Sequence, residues 1–296
     1  MGTLKRDNFL GIIPVRPKRR HKWLRRVLFS LLSVLVAGLL AAAQAFLIEP
    51  NVLSITRLNI IDGQLPASWD GRVIAYFSDV HVGDTYPVSQ LDRVARAINQ
   101  AEPDLILFGG DLVDYRTSFD SEFSASCSEV LGKMQAPLGK FAIIGNHDNR
   151  LKAELALAAR MFSGGGFELL INQSVELDGI LLGGMDESYF GQPDLEKTFG
   201  SSEGLWRLLL MHQPDYAAAL PADSARLTLS GHSHNGQVTI FGYPPSRVYQ
   251  GEKYTYGLYT LEGGRQLAVT RGLGMVGLRA RFWAPPEIML ITLHRN

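Results

Sequence analysis

Hydrophobic residues are grouped along this chain in short runs that end at glycine, aspartate, asparagine or histidine. Residues 105–108 (Leu-Ile-Leu-Phe) predict a buried strand, Gly109-Gly110 end it, and Asp111 follows where the strand meets solvent. Strand ends at one edge of a sheet converge in space even when they are distant in sequence. The polar residues after these runs are therefore expected to form one cluster. Four further runs end in the same way, at residues 73–78, 141–144, 208–211 and 227–230.

Between the strands, apolar residues recur at helical spacing. They predict helices at 91–98, 123–134 and 151–162, the last ending at three glycines. The pattern predicts an α/β fold in which two mixed sheets pack face to face with helices outside, a four-layer α/β/β/α sandwich. Beyond Gly166, short segments divided by Gly, Pro and Asp predict strands of the second sheet, at residues 167–171, 179–185, 238–241, 256–261, 266–270 and 287–293.

The N-terminal part has a different character. Residues 27–48 carry no charge, and 22 residues at ~1.5 Å rise make a helix of ~33 Å, enough to cross a bilayer. Nine lysines and arginines precede it, which predicts a cytoplasmic N-terminus and an extracytoplasmic position at the cell membrane for the rest of the chain. We expect four segments: a basic cytoplasmic tail (1–26), a transmembrane signal-anchor helix (27–48), a linker with an edge strand (49–68) and a folded domain that carries the polar cluster (69–296).

Two processing alternatives remain open for this segment. Residues 43–45 (Ala-Gln-Ala) have the form of a signal-peptidase site, and Arg25-Arg26 resembles a twin-arginine signal. The length of the apolar run favours a retained anchor. The whole chain has 29 basic and 29 acidic residues, so the part beyond the basic tail is acidic and no nucleic-acid partner is expected. Cys127 is the only cysteine, which excludes a thiolate metal cluster.

Histidines are concentrated after the apolar runs. Together with Asp79, Asp111 and Asn146 they supply carboxylate, amide and imidazole donors without sulfur. This donor set suits two divalent ions from the group Mn, Fe, Zn and Co, and so many imidazoles disfavour Mg or Ca. Five of the seven histidines have this position: His81, His147, His212, His232 and His234.

Five short motifs follow one another in a fixed order: Asp79-Val80-His81, Gly110 to Asp114, Gly145-Asn146-His147-Asp148, a lone His212, and Gly231-His232-Ser233-His234. This ordered set resembles the signature of the calcineurin-like metallophosphoesterases. Segments 256–259, 271–274 and 285–287, together with the anchor, resemble the membrane-associated YaeI/YkuE-type subgroup. That subgroup has glycine where this chain has Asn235. Because Asn tolerates the left-handed conformation, we expect the turn to survive.

The resemblance implies a role for each motif residue. Asp111 would bridge the two metals, since two cations ~3.5–4 Å apart need an anion between them, and a hydroxide shared by the metals would attack phosphorus. His147 would donate a hydrogen bond or a proton to the scissile group. One metal would be held by Asp79, His81, Asp111 and His234, and the other by Asp111, Asn146, His212 and His232. Asp114 and Asp148 would orient ligands, while Arg150 and Arg271 are candidate contacts for the substrate phosphate.

These observations predict a membrane-anchored phosphodiesterase acting on a lipid-borne or envelope substrate. An apolar lip that could face a lipid is expected at Met275, Val276, Leu278, Phe282 and Trp283. One alternative is a UDP-diacylglucosamine-type pyrophosphatase of lipid A synthesis, which would require the site on the cytoplasmic side. A non-catalytic binding protein on the same fold is the other alternative, and the intact ligand set disfavours it.

Overall fold

The computed structural model describes residues 20–83, 85–114, 121–200 and 204–296, so most of the predicted basic tail lies outside the described residues. The chain divides into two compact units, Met1–Ala43 and Gln44–Asn296. The first contains helix α1 (Arg20–Ala43), whose large apolar side chains are exposed. The helical stretch Lys22–Asn51 contains an 18-residue window with a mean hydropathy of 2.4 and is long and apolar enough to cross a membrane by length and composition.

The second unit is built on two six-stranded mixed sheets. The first sheet comprises β1 (Ser54–Ile61), β2 (Val73–Phe77), β3 (Leu105–Gly109), β4 (Lys140–Ile143), β5 (Glu168–Leu169) and β12 (Glu287–His294). Their spatial order is β1-β12-β2-β3-β4-β5. Strand β12 runs antiparallel to β2, and the other neighbouring pairs are parallel.

The second sheet comprises β6 (Gln173–Leu177), β7 (Ile180–Gly184), β8 (Trp206–Leu210), β9 (Leu227–Ser230), β10 (Gly257–Thr260) and β11 (Gln266–Val269). Their order is β10-β11-β9-β8-β7-β6. The three inner pairs are parallel and the two outer pairs are antiparallel.

Side chains alternate between two cores along each central strand, as the pleat of a strand requires. In β2, Ala75 and Phe77 face the helices, whereas Ile74 and Tyr76 face the other sheet. Leu209 of β8 lies in a third core on the outer face of the second sheet. The predicted four-layer α/β/β/α sandwich is therefore confirmed. The helices are α2 (Val88–Gln100), α3 (Ser121–Gly132), α4 (Asn146–Asn149), α5 (Lys152–Gly164), α6 (Leu195–Phe199) and α7 (Pro214–Ala219).

The assignment of strands to sheets differs from the prediction at three places. Strands β5 and β12, expected in the second sheet, belong to the first, where β12 lies between β1 and β2. Residues 238–241 form only isolated bridges, Val238 with Phe282 and Ile240 with Tyr243. A run such as β12, buried on both faces, has the same apolar pattern in either sheet, so its pattern cannot reveal its neighbours.

A buried ion pair joins β12 to the segment that precedes it. Arg271 Nη2 lies 2.8 Å from Glu287 Oε1, and both side chains are largely buried. Removing one partner leaves the other charge buried, at a cost of about 3–5 kcal/mol. We expect Glu287→Ala to lower the free energy of unfolding of the full chain in detergent micelles by about this amount, measured by denaturant titration. Lys133→Met, which removes an exposed pair with Glu129, should cost under about 1 kcal/mol. Equal losses in the two variants would contradict a stabilising role for the buried pair.

Candidate metal centre

The loops after β2, β3, β4, β8 and β9 meet at one place, so strand ends of both sheets contribute to the cluster. The sequence had placed these ends at one sheet edge. Apart from half-buried His147, the gathered side chains are buried. Three groups have their donor atoms within 4.8 Å of one another: Asp79, His81 and His234; His81, Asp111 and His147; and Asp111, His212 and His232.

The backbone at several residues of the cluster is in the left-handed region, which non-glycine residues seldom adopt. Such strain persists where the surrounding structure fixes it, and it is concentrated at functional sites. Asn235 has a φ of 49°, which confirms the expected left-handed conformation at this turn. Five of the predicted ligands share this geometry, with φ of 53° at Asp79, 47° at His81, 59° at Asp111, 66° at His232 and 50° at His234.

Two glycines allow the carboxylates to approach the neighbouring loops. A Cβ atom at Gly145 would lie 2.1 Å from Asp111 Oδ1, and one at Gly231 would lie 2.2 Å from Asp79 Oδ2. The close approach lets backbone amides bind the carboxylates: His147 N donates to Asp111 Oδ1 at 2.8 Å, and His232 N donates to Asp79 Oδ1 at 2.9 Å. The motif glycines therefore fix the two carboxylates against the loops that carry the histidines.

The first group contains two imidazoles whose nitrogens face each other. His81 Nε2 and His234 Nε2 are 3.2 Å apart, and His234 Nε2 is 3.4 Å from Asp79 Oδ1. Burial lowers the pKa of His81 to about 3 and the pKa of His234 well below its ordinary value. Burial also raises the pKa of Asp79 to about 6. Both rings are thus neutral at neutral pH and keep lone pairs for a cation.

Asp111 lies between His81 of the first group and His212 of the third. Its Oδ2 lies 3.2 Å from His212 Nε2 and 3.6 Å from His81 Nε2. Burial alone would lower the pKa of His212, but the charge of Asp111 raises it to about 10. Burial would likewise raise the pKa of Asp111, but the charge of His212 holds it well below its ordinary value. Burial lowers the pKa of His232 to about 4.

The loop after β4 supplies the next two predicted residues. Asn146 begins α4, and its buried Oδ1 has no hydrogen-bond partner within the described part of the chain. The ring of His147 lies 4.6 Å from the ring of His81 in an edge-to-face arrangement. Unlike the other histidines of the cluster, His147 is half-buried and reaches solvent.

Asp148 joins the loops after β3 and β4. Its Oδ1 accepts hydrogen bonds from the amides of Leu112 (2.9 Å) and Val113 (3.0 Å), and its Oδ2 accepts from Gly145 N (3.0 Å). Burial and the nearby charge of Asp111 raise the pKa of Asp148 to about 7. These contacts hold the loop after β3, which carries Asp111, against the loop after β4.

The remaining predicted residues lie outside the three groups. Asp114 is buried just beyond the strand end that carries the cluster. Arg150 Nη2 lies 2.7 Å from Glu154 Oε1, one helical turn away. Arg271 pairs with Glu287, and its guanidinium also stacks on Tyr256, 4.5 Å from the ring centroid. The structure therefore brings neither arginine into the donor groups.

Sequence reasoning missed Tyr189, which touches the cluster. Its hydroxyl lies 3.1 Å from His232 Nε2, and the carbonyl oxygen of Tyr249 lies 2.9 Å from the same nitrogen. The protein therefore engages Nε2 of His232 and leaves Nδ1 for a ligand. Buried Glu187 holds the loop by accepting hydrogen bonds from the amides of Tyr189 and Phe190, each at 2.7 Å. No sequence signal marks this loop, because it contains none of the five motifs.

Arg281 is a second residue that the sequence did not reveal. Its guanidinium is fully buried and donates to the carbonyl oxygens of Gly274 (2.6 Å) and Ala284 (2.6 Å). Gly274 N in turn donates to Asp79 O at 2.7 Å. Burial lowers the pKa of Arg281 to about 10. The arginine thereby fixes the segment between β11 and β12 (residues 270–286, the closing loop) against the backbone of Asp79.

The cluster fits divalent cations. Its donors are oxygen and nitrogen atoms, and the histidines of the first group are buried in the neutral form that binds metals. Among the described residues, the buried Oδ1 of Asn146 has no hydrogen-bond partner. Buried polar atoms without partners are costly unless something else satisfies them. The buried carboxylates and imidazoles therefore indicate divalent metal binding.

Comparison with known proteins identifies the family. The model of the calcineurin-like phosphoesterase family matches residues 72–236. The uncharacterized metallophosphoesterase YkuE of Bacillus subtilis is 35% identical, over 91% of this chain and 96% of the relative. The UDP-2,3-diacylglucosamine pyrophosphatase LpxG of Chlamydia trachomatis is 29% identical, over 88% of this chain and 95% of the relative. A crystal structure of a dimetal phosphatase from Danio rerio aligns with a TM-score of 0.41 and 13% identity, over 70% of this chain and 90% of that one. The chain belongs to the calcineurin-like phosphoesterase family and is a phosphoester hydrolase.

Proposed function

We propose that this hydrolase is a membrane-anchored phosphodiesterase with a centre for two divalent metal ions. The observation that supports it is the buried carboxylate of Asp111, whose Oδ2 lies 3.6 Å from His81 Nε2 on one side of the cluster and 3.2 Å from His212 Nε2 on the other. In this proposal Asp79, His81, Asp111 and His234 hold one ion, and Asp111, Asn146, His212 and His232 hold the other. The donors suit Mn, Fe, Zn or Co.

The chain's own residues prepare the centre for the reaction. When bound, a pair of divalent ions supplies Lewis-acid chemistry that activates water near neutral pH and neutralises phosphoryl oxygens. Asp111 places a negative charge between the two donor groups, and Asp148 orients the loops on both sides of it. Gly109 O, 2.7 Å from His212 Nδ1, fixes the hydrogen on that nitrogen and turns Nε2 towards Asp111.

His147 is the residue that we assign to the leaving group. It lies within reach of His81 and Asp111 and still reaches solvent, so it can donate a proton to a departing oxygen or a hydrogen bond to a phosphoryl oxygen. Arg150 and Arg271 are weaker candidates for contact with the substrate phosphate, because their guanidinium groups pair with Glu154 and Glu287.

The anchor suggests which phosphodiesters are substrates. An apolar helix at the N-terminus would confine the enzyme to a layer near the bilayer, so we favour a lipid-borne or envelope phosphodiester. The basic residues before the helix favour a cytoplasmic N-terminus and an extracytoplasmic catalytic domain.

A second candidate reaction is hydrolysis of the pyrophosphate in a nucleotide-linked acylated sugar. The similarity to the protein named UDP-2,3-diacylglucosamine pyrophosphatase LpxG favours it. This reaction would place the site on the cytoplasmic side, opposite to the topology that the basic tail predicts. The family membership and the intact donor set disfavour a purely binding role.

Hydrolysis of bis-p-nitrophenyl phosphate tests the proposal. We expect the full chain in detergent micelles to release p-nitrophenol with added manganese, to lose this activity with a chelator and to regain it with metal. Elemental analysis should give two ions per active chain. A chain that holds two ions without turnover would contradict the proposal. Faster cleavage of a UDP-linked diacylated sugar than of any diester would favour the second candidate.

A further inference from the structure

An apolar cleft of about 410 Å³ opens beside the candidate metal centre. It lies between the turn that follows β9 and the closing loop that precedes β12. Its walls include His234, Gln237, Val238, Val248, Val276 and Leu278.

The cleft adjoins the centre at His234. This residue lines the cleft, and its Nε2 is 3.4 Å from Asp79 Oδ1 and 3.2 Å from His81 Nε2. A phosphoester whose phosphate occupies the centre therefore has an organic substituent within reach of the cleft.

Gln237 fixes the wall of the cleft to the turn that carries His234. Its side-chain Nε2 donates to the carbonyl oxygens of Val276 and Leu278, each at 3.0 Å, and its Oε1 accepts from Val276 N at 2.5 Å. The cleft is thus formed before any substrate arrives, which reduces the ordering cost of binding.

The chemistry of the walls favours a hydrocarbon chain. Arg247 is the one guanidinium in the lining, and it is directed to its own loop, donating to Glu252 O at 2.7 Å and stacking 4.7 Å from the centroid of Tyr243. A sugar or a nucleotide base would lose its hydrogen bonds to water among the valine and leucine side chains without comparable replacement. A hydrocarbon chain would lose none.

Exposed aromatic residues extend the apolar surface. Phe241 is 90% exposed, Trp283 is 49% exposed, and their ring centroids are 5.5 Å apart. The same loop is joined to the segment after the predicted anchor, because Ala284 N donates to Glu49 Oε1 at 2.6 Å. Just before Glu49 the apolar residues 46–48 are exposed. Apolar surface therefore lies both beside the cleft and where the chain leaves the predicted membrane helix.

We propose that the cleft takes an alkyl or acyl chain of the substrate, which makes the substrate an amphiphile whose hydrocarbon chain begins close to the scissile phosphate. This inference rests on the proposed phosphodiesterase function and specifies its substrate class. The sequence predicted an apolar lip at Met275, Val276, Leu278, Phe282 and Trp283, and of these Val276 and Leu278 line the cleft.

A series of p-nitrophenyl alkyl phosphates with methyl, butyl and hexyl groups tests the inference on the full chain in lipid nanodiscs. We expect kcat/KM to rise by up to about fourfold per added methylene group. Leu278→Ser and Val248→Ser should flatten this dependence. Leu258→Ser is the matched control, since Leu258 is a half-exposed leucine of β10 outside the cleft, and it should keep the wild-type dependence. Partition of the esters into the nanodisc is common to all variants.

Calorimetric titration with hexylphosphonate and methylphosphonate separates this inference from the proposed function. We expect the hexyl compound to bind more tightly to the wild type, and Leu278→Ser to remove the preference. If the protein hydrolyses bis-p-nitrophenyl phosphate but shows no chain-length preference among the alkyl phosphates and phosphonates, the cleft does not bind the hydrocarbon chain, and the phosphodiesterase proposal is unaffected. If the calorimetric preference for the hexyl compound is lost in Leu278→Ser but the protein hydrolyses no ester, the result supports hydrocarbon binding in the cleft and contradicts the proposed phosphodiesterase function.

Discussion

Replacing Asp111 with asparagine should abolish hydrolysis and lower the metal content from two ions per chain to one or none. The carboxylate lies 3.2 Å from His212 Nε2 and 3.6 Å from His81 Nε2, so it is within reach of the ligand sets proposed for both ions. Asparagine keeps the size of the side chain and one oxygen for the amide of His147, but it removes the negative charge. Because that charge would screen two cations from each other by several kcal/mol, we expect kcat to fall by at least about a thousandfold.

Elemental analysis and steady-state kinetics on the same preparation check this prediction. Asp178→Asn is the matched control, because Asp178 is an exposed carboxylate paired with Arg72, and it should keep both ions and full activity. The melting temperature in detergent shows whether Asp111→Asn still folds. A folded Asp111→Asn protein with two ions and an unchanged rate would refute the bridging role.

The sequence predicted the donor set because each donor follows an apolar run directly. A short apolar run such as residues 105–108, bounded by glycines, is typical of a buried strand, and the glycines after it bring the next side chain to the strand end. That local rule holds for strands of both sheets, so it identified His212 and His232 as well as Asp111, although it placed all strand ends at one sheet edge.

Residues that act through tertiary contacts gave no such signal. Arg281 has the sequence surroundings of a surface arginine, yet its guanidinium is fully buried and binds backbone carbonyls. Arg271 was a candidate for substrate contact, but the structure pairs it with Glu287, and strand β12, which carries that glutamate, was itself assigned to the wrong sheet. A partner that lies on another strand cannot be inferred until the neighbours of that strand are known.

The left-handed backbone at the ligands was also invisible from the sequence, whereas the left-handed conformation of the neighbouring Asn235 was predicted. Asparagine is the non-glycine residue that most readily accepts this conformation, so its presence in the turn was informative. Aspartate and histidine at positions such as Asp79 and His234 carry no comparable indication. Their strained backbone is imposed by the hydrogen bonds and close contacts of the assembled loops.

Replacing His147 with alanine should slow the cleavage of poor leaving groups far more than that of good ones. A proton donor matters most when the departing oxygen is basic, and such catalysis contributes roughly a hundredfold to ten-thousandfold. We expect a loss in this range for methyl phenyl phosphate, whose leaving group has the pKa of a phenol, about 10. For methyl p-nitrophenyl phosphate the loss should be under about tenfold, because p-nitrophenoxide departs without a proton. The measurement is kcat for both esters with the wild type and the variant.

Two further readouts separate proton donation from the other roles open to His147. The ring lies in a group with His81 and Asp111, so if it were a metal ligand, His147→Ala would lose an ion, and we expect it to keep two. His147→Gln can donate a hydrogen bond to a phosphoryl oxygen but cannot release a proton at neutral pH. If hydrogen bonding were the main role, glutamine would restore the rate for both esters alike. We expect glutamine to leave the poor leaving group slow, and an equal loss for the two esters in both variants would show that the ring only packs against His81.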